Sequence, residues 1–173
     1  MTNITGASVR ILGSLASMDG VGVVRIEERF DVAVDEVWSA LTEPERLASW
    51  YGTVEGDLRV GGEYSAHLHA SGWEGTGRIE ECEPPRRLVV SSKGSEEANE
   101  VLTELQLTGE GDQTVLVVEK RGLPLDLLWA YGAGNQIHVE DLAAHIAGRE
   151  RGESKTRFDE LTPAYTEMAA NIE

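Results

Sequence analysis

From Val21 to Gly52 the spacing of apolar residues changes period, and the order of those periods restricts the fold more than any single segment does. Val24, Ile26 and Phe30 alternate with Arg25, Glu27 and Arg29, the pattern of a strand over Val21 to Val32 with one wet face. From Asp35, placed to cap a first turn, Val37, Trp38 and Leu41 fall at helical spacing, and Pro44 ends this helix or opens another. Leu47, Ala48 and Trp50 line one side of that second short helix, and Gly52 is placed to end it in a left-handed conformation. Alternation then returns from Glu55 to Arg121, interrupted by Gly61-Gly62, Ser71-Gly72, Pro84-Pro85 and Gly109-Glu110-Gly111-Asp112. It divides into five strands: Leu58 to His69 with a bend at the glycine pair, Trp73 to Cys82, Arg87 to Ser92, Val101 to Thr108, and Thr114 to Lys120. Their short connections favour antiparallel neighbours. Leu123-Pro124 closes this meander, and Trp129, Tyr131, Ile137, Val139, Leu142, Ala143 and Ile146 trace a long helix ending near Gly148, with positions 139, 142, 143 and 146 as its core stripe.

The ends follow different rules. Residues 9 to 16 read as a strand turning at Asp19-Gly20 into the first one, or as a short amphipathic helix through Ile11, Leu12, Leu15 and Met18, and the hairpin is preferred. Residues 1–20 are thus an N-terminal extension, 21–148 one domain, and 149–173 a charged linker with a short terminal helix that docks through Phe158, Leu161, Tyr165 and Met168. Ser91 to Asn99 is polar and acidic, as in a mobile loop. A length of 173 residues suits one compact domain. The formal charge of −16 repels phosphate, so neither nucleic acid nor an anionic membrane is an expected partner. No apolar run is long enough to span a bilayer, the N-terminus has no secretory pattern, and Cys82 is the single cysteine; the expected compartment is a reducing cytoplasm.

Strand, two short helices, curved antiparallel sheet and long helix together make an α+β helix-grip arrangement, in which the sheet wraps the last helix around a cavity. Phe30-Asp31-Val32-Ala33-Val34-Asp35-Glu36-Val37-Trp38-Ser39-Ala40-Leu41-Thr42-Glu43-Pro44 resembles the opening of the START-like (SRPBCC) superfamily, in the branch named for the activator of heat-shock-protein ATPase. Leu58 to Tyr64, Gly75-Thr76-Gly77-Arg78-Ile79, Glu83 to Leu88 and His138 to Gly148 are similar to the later motifs of that branch, so the resemblance spans about residues 21 to 148. It implies the fold. The superfamily includes lipid carriers, polyketide cyclases and co-chaperones, so it implies no single activity. Members commonly carry Trp where this chain has Asn135, which implies a more polar cavity or a helix start that faces solvent.

Candidate ligand contacts follow from side-chain direction. Tyr131, Asn135, Gln136 and Val139 fall on or beside the helix stripe, where Gly132 and Gly134 leave space. Tyr64 shares a strand face with Ala66 and Leu68, which directs His67 and His69 outward as a solvated pair. Trp73 opens a strand whose Gly75 and Gly77 lack side chains on the same face, a groove for a flat ligand, and Trp129 is an aromatic of the same kind. Glu119, on a face with Val115 and Val117, is the candidate cavity acid; Glu74, Glu80, Glu81, Glu83 and Glu140 read as solvated surface. His138 and His145 stand too far apart to share a metal, Cys82 lies among acids that raise its pKa, and no phosphate loop, serine elbow or Cys-x-x-Cys site is present. No metal or cofactor is expected. The leading expectation is a binder of a small, mostly apolar molecule. The alternatives are a cyclase or dehydratase using Glu119 or Tyr131, implied by the resemblance alone, and a chaperone-linked module meeting a protein partner through its acidic surface.

Overall fold

The computed structural model describes residues 10–95, 97 and 99–172, so the first nine residues of the expected N-terminal extension lie outside the described residues. Among the described residues, eight antiparallel strands form one sheet. They are β1 (Gly13–Met18), β2 (Val21–Phe30), β3 (Gly52–Gly56), β4 (Glu63–Leu68), β5 (Glu74–Glu83), β6 (Arg87–Gly94), β7 (Val101–Glu110) and β8 (Gln113–Leu123), in the order β1-β2-β8-β7-β6-β5-β4-β3. Two short helices, α1 (Val34–Thr42) and α2 (Pro44–Trp50), join β2 to β3; a 3-10 turn at Leu125–Leu127 leads into α3 (Leu128–Ile146), and α4 (Ser154–Ala170) follows. The architecture is the α+β helix grip that the sequence implies.

Each early element follows its residues closely. Asp19 (φ 53°) and Gly20 (φ 83°) form the tight turn that pairs Met18 with Val21, their two positive φ values being those of a type I′ hairpin turn. Along β2, Val24, Ile26 and Phe30 are buried while Arg25, Glu27 and Arg29 are exposed. Helix α1 starts after Ala33, not Asp35, and Asp35 and Glu36 instead place negative charge in its first turn, where the helix dipole favours it. Pro44 opens α2, and the Trp50 indole N–H donates to the Ala40 carbonyl at 2.9 Å, tying the two helices together.

Two expectations are corrected here. Gly52 does not end α2 in a left-handed conformation; it begins β3, where a Cβ would run into the His67 carbonyl of β4. Of the strand expected from Leu58 to His69, only β4 (Glu63–Leu68) forms and residues 58–62 are a loop; β3, which pairs with β4 at the edge of the sheet, is not among the expected strands. In addition, Ser91 to Gly94 are the end of β6 and not part of a loop.

Helix α3 is buried on two sides. Leu128, Val139 and Leu142 face the sheet, together with the partly buried Ala143 and Ile146 of the expected stripe. Ala133 and Ile137 face α4, where Leu161 and Tyr165 are fully buried. α4 begins at Ser154, capped by the Glu153 side chain on the Thr156 N–H at 2.9 Å, and its 17 residues make it longer than the short terminal helix expected. Arg157 of α4 grips Glu140 of α3 with two bonds of 2.6 and 2.8 Å. Gly132 and Gly134 lie well inside α3 and face different surroundings. A Cβ at Gly132 would stand 2.5 Å from the Tyr165 ring, whereas one at Gly134 meets nothing within 4 Å. Urea denaturation should therefore show Gly134→Ala more stable than the parent by about 0.5–1 kcal/mol. Gly132→Ala should cost about 1–3 kcal/mol through overpacking. Equal effects of the two would contradict this packing.

Candidate functional site

Between the concave face of the sheet and α3 lies a cavity of about 1090 Å³. Trp38 and Leu41 of α1, Trp50 and Tyr51 at the end of α2, and Leu105, Leu116 and Val118 of the sheet supply much of its apolar wall. Ser71, Gly72, Ser95, Leu127 and Lys155 are both exposed and part of the lining, so they mark where it meets solvent. Cys82 also lines the wall, and burial pushes its thiol pKa up.

Polar groups inside this wall gather around α3. The Tyr131 hydroxyl donates to Glu97 at 2.7 Å, and the same carboxylate accepts the Gly94 N–H at 2.6 Å and the Trp73 indole N–H at 3.3 Å. Burial pushes the Glu97 carboxyl up, but these three donors and the charge of Lys120 outweigh it and hold the pKa below the usual value. Asn135 donates to the Tyr131 carbonyl at 2.7 Å and lines the cavity, a polar group where the family resemblance implies Trp. His138 packs edge-on against Tyr51, with ring centroids 5.1 Å apart, and its Nδ1 has no hydrogen-bond partner among the described residues. Burial, reinforced by the positive charges of Lys120 and Arg151, drives its pKa down to about 3. Burial likewise raises the Tyr64 hydroxyl to about 12. Lys120 lines the same space, with its pKa lowered by burial and partly restored by Glu97. His138 and Lys120 both line the cavity, and both are partly buried.

The expected contacts therefore divide. Tyr64, Trp73, Tyr131, Asn135 and Val139 line the cavity. Gly75 and Gly77 do not, because the Trp73 indole lies against Gly75 and the Tyr64 ring against Gly77; the glycines are seats for those rings and leave no open groove. Trp73 itself precedes β5 and does not open it. Glu119 is on the convex face, 3.5 Å from Arg121, because Leu116, Val118 and Lys120 are the inward residues of β8. Trp129 packs on Phe158 of α4 at 6.0 Å. Gln136 points towards β1 and α4: its Oε1 accepts the Leu12 N–H and the Tyr165 hydroxyl, and its Nε2 donates to the Arg10 carbonyl and Glu140. That bonding is complete and structural. Sequence reasoning passed over Lys120 and Glu97, and weighed His138 only as a metal ligand too far from His145. The signal for Lys120 was its period-two spacing from Leu116 and Val118.

His67 is exposed, 3.7 Å from Glu74, and the His69 ring is hydrogen-bonded with the Ala48 carbonyl at 2.7 Å. Among the described residues no cluster of three His, Cys, Asp or Glu side chains is placed to hold a metal ion. No helix among them is long and apolar enough to cross a membrane.

Residues 31–147 match the family model for activator of Hsp90 ATPase homolog 1-like protein. The chain belongs to this family. CalU16 from Micromonospora echinospora is similar in crystal structure, with 30% identity, a TM-score of 0.75, and coverage of 92% of this chain and 96% of that one. DynU16, from the dynemicin biosynthetic locus, is similar at 26% identity with a TM-score of 0.69, over 76% of this chain and 50% of that one. EF2215 from Enterococcus faecalis, at 18% identity, a TM-score of 0.73 and coverage of 93% and 92%, bears on the fold alone. No curated protein matches the sequence.

The His138 environment predicts a pH effect with a definite sign. With a folded pKa of about 3 against an ordinary 6.5, His138 stays neutral in the fold while the unfolded chain takes up its proton; this contribution is complete above pH 6.5 and is lost as pH falls towards 3. Asp141, pushed up to about 6 by burial, acts in the opposite sense between about pH 6 and 4, so the comparison must be with a variant and not with pH alone. Between pH 7 and 5, urea unfolding of the parent should lose about 2 kcal/mol more than that of His138→Phe. Parallel pH profiles would mean that His138 protonates freely in the folded protein.

Proposed function

We propose that this protein binds one small, mostly apolar molecule in the cavity between the sheet and α3. The observation that carries this reading is the cavity itself: about 1090 Å³, walled mainly by aliphatic and aromatic side chains, with a few convergent polar groups. That is the composition of a ligand pocket, in which apolar area supplies affinity and the polar groups select orientation. Trp38, Trp50, Tyr51 and Tyr64 surround the ligand with rigid rings, and Tyr131, Asn135 and His138 offer it hydrogen-bonding atoms from one side. The similarity to DynU16, a protein of a biosynthetic locus, supports a ligand that is a biosynthetic product or intermediate.

Gly134 gives the test. It lines the cavity and has open space where a side chain would begin, so Gly134→Phe directs a ring from α3 into the ligand volume. Titration with the neutral dye Nile red, which brightens in apolar sites, should give saturable binding to the parent and affinity lower by roughly tenfold or more in Gly134→Phe, with thermal stability retained. Native mass spectrometry of gently purified protein should show an adduct that is lost on denaturation. Equal dye affinity in parent and variant would place the binding elsewhere and refute the reading.

A further inference from the structure

The sequence holds three lysines, and they have three different surroundings. Lys93 is exposed on β6. Lys155 is exposed and paired with Asp159 at 2.9 Å. Lys120 sits on the concave face of β8, between Val24 of β2 and Thr103 of β7, and reaches into the cavity. Its nitrogen has no hydrogen bond and no ion pair within 4 Å among the described residues. The charged or titratable groups electrostatically coupled to it are Glu97, from the connection between β6 and β7, and His138, from α3. Glu97 already accepts three hydrogen bonds from other donors.

We infer that Lys120 is a nucleophilic amine that captures the aldehyde or ketone carbonyl of an apolar ligand as an imine. The inference rests on the cavity-binding reading above and names the class of molecule the cavity takes. Two considerations favour a neutral carbonyl over an anion. An unpaired ammonium among apolar walls is costly, and burial lowers the Lys120 pKa, which favours the neutral amine that attacks carbon. The cavity also already holds the Glu97 carboxylate, so a carboxylate ligand would bring a second negative charge to a space with one buried lysine, in a chain of net charge −16. A carbonyl compound brings none.

The step balances without a co-reactant. The Nζ lone pair forms a bond to the carbonyl carbon as the C=O π pair moves to oxygen, and one amine proton passes to that oxygen, giving the carbinolamine. The C–O bond then breaks, the second amine proton leaves with the hydroxyl group as water, and the nitrogen lone pair completes the C=N bond. On protonation of the imine, the negative charge of Glu97 stabilises the iminium.

The experiment is reductive trapping. Protein incubated with nonanal at neutral pH and reduced with sodium cyanoborohydride should gain one nonyl group, mapped by peptide mass spectrometry to Lys120 and formed on the order of tenfold faster than at Lys93, Lys155 or the N-terminal amine. Lys120→Met should lose that label while keeping the parent's circular dichroism spectrum. Lys120→Arg, which keeps a cation but no nucleophile, serves the same purpose if the Met variant does not fold. Gly134→Phe should lose both dye and label. Labelling spread over Lys93, Lys155 and the N-terminus while Nile red still binds would overturn the inference and leave the cavity-binding reading standing. So would nonanoate binding that depends on Lys120 with no trapping of nonanal, which would make Lys120 an anchor for anions. Absence of Nile red binding in the parent would remove the cavity-binding reading and the inference with it.

Discussion

The sheet is wider than one helix can cover. Eight strands at about 4.8 Å spacing span roughly 34 Å, whereas a helix with its side chains is about 10–12 Å across. One face of the sheet must be shielded from water, and α3 packs closely against only the part near β1 and β2. Helix α1, with Val37 buried, packs on β8 and β7, and α2, with Leu47 and Trp50 buried, packs on the far-edge strand β3; the volume between these supports stays open. The cavity is therefore a consequence of this element order. Its size is set by residues such as Gly134, where α3 has no side chain to fill the space.

Against that background the buried polar groups fall into two kinds. Gln136 uses its whole bonding capacity to join α3, α4 and the chain leading into β1, and Thr114 donates to the Val32 carbonyl at 2.9 Å where β2 gives way to α1. These are satisfied groups that specify how elements dock. Lys120 and His138 line the cavity, and neither the Lys120 nitrogen nor the His138 Nδ1 has a hydrogen-bond partner among the described residues. A fold that satisfies Gln136 so fully and leaves these two without partners in the same interior separates residues that hold the structure from residues that await something else. Glu97 lies between the two kinds, held by Tyr131, Trp73 and Gly94 but acting electrostatically on Lys120.

What was legible in the chain depended on whether a period carried a phase. In β2 one face is apolar and the other charged, so alternation identified both the strand and its inner side. In β8, Val115 and Val117 are as apolar as Leu116 and Val118, and alternation identified the strand but not its inner face. A shift of one residue then exchanges Glu119 for Lys120. Helix α3 raised the same difficulty in rotation: adjacent positions point about 100° apart, so Asn135 enters the cavity while Gln136 faces α4. Spacing placed Gly75 and Gly77 on one face correctly, but nothing in a spacing tells that the rings of Trp73 and Tyr64 lie over them.

The sequence by itself determined the order of the elements other than β3, their antiparallel pairing, the helix-grip class and the membership of the wall by Tyr64, Tyr131 and Val139, because local periodicity, turn chemistry and short connections are properties of neighbouring residues. The tertiary structure alone decided which face of β8 turns inward, that α4 covers the second side of α3, and that Glu97, His138 and Lys120, far apart in the chain, share one enclosed space. Those outcomes depend on sheet curvature and on contacts between distant segments, which no local pattern encodes.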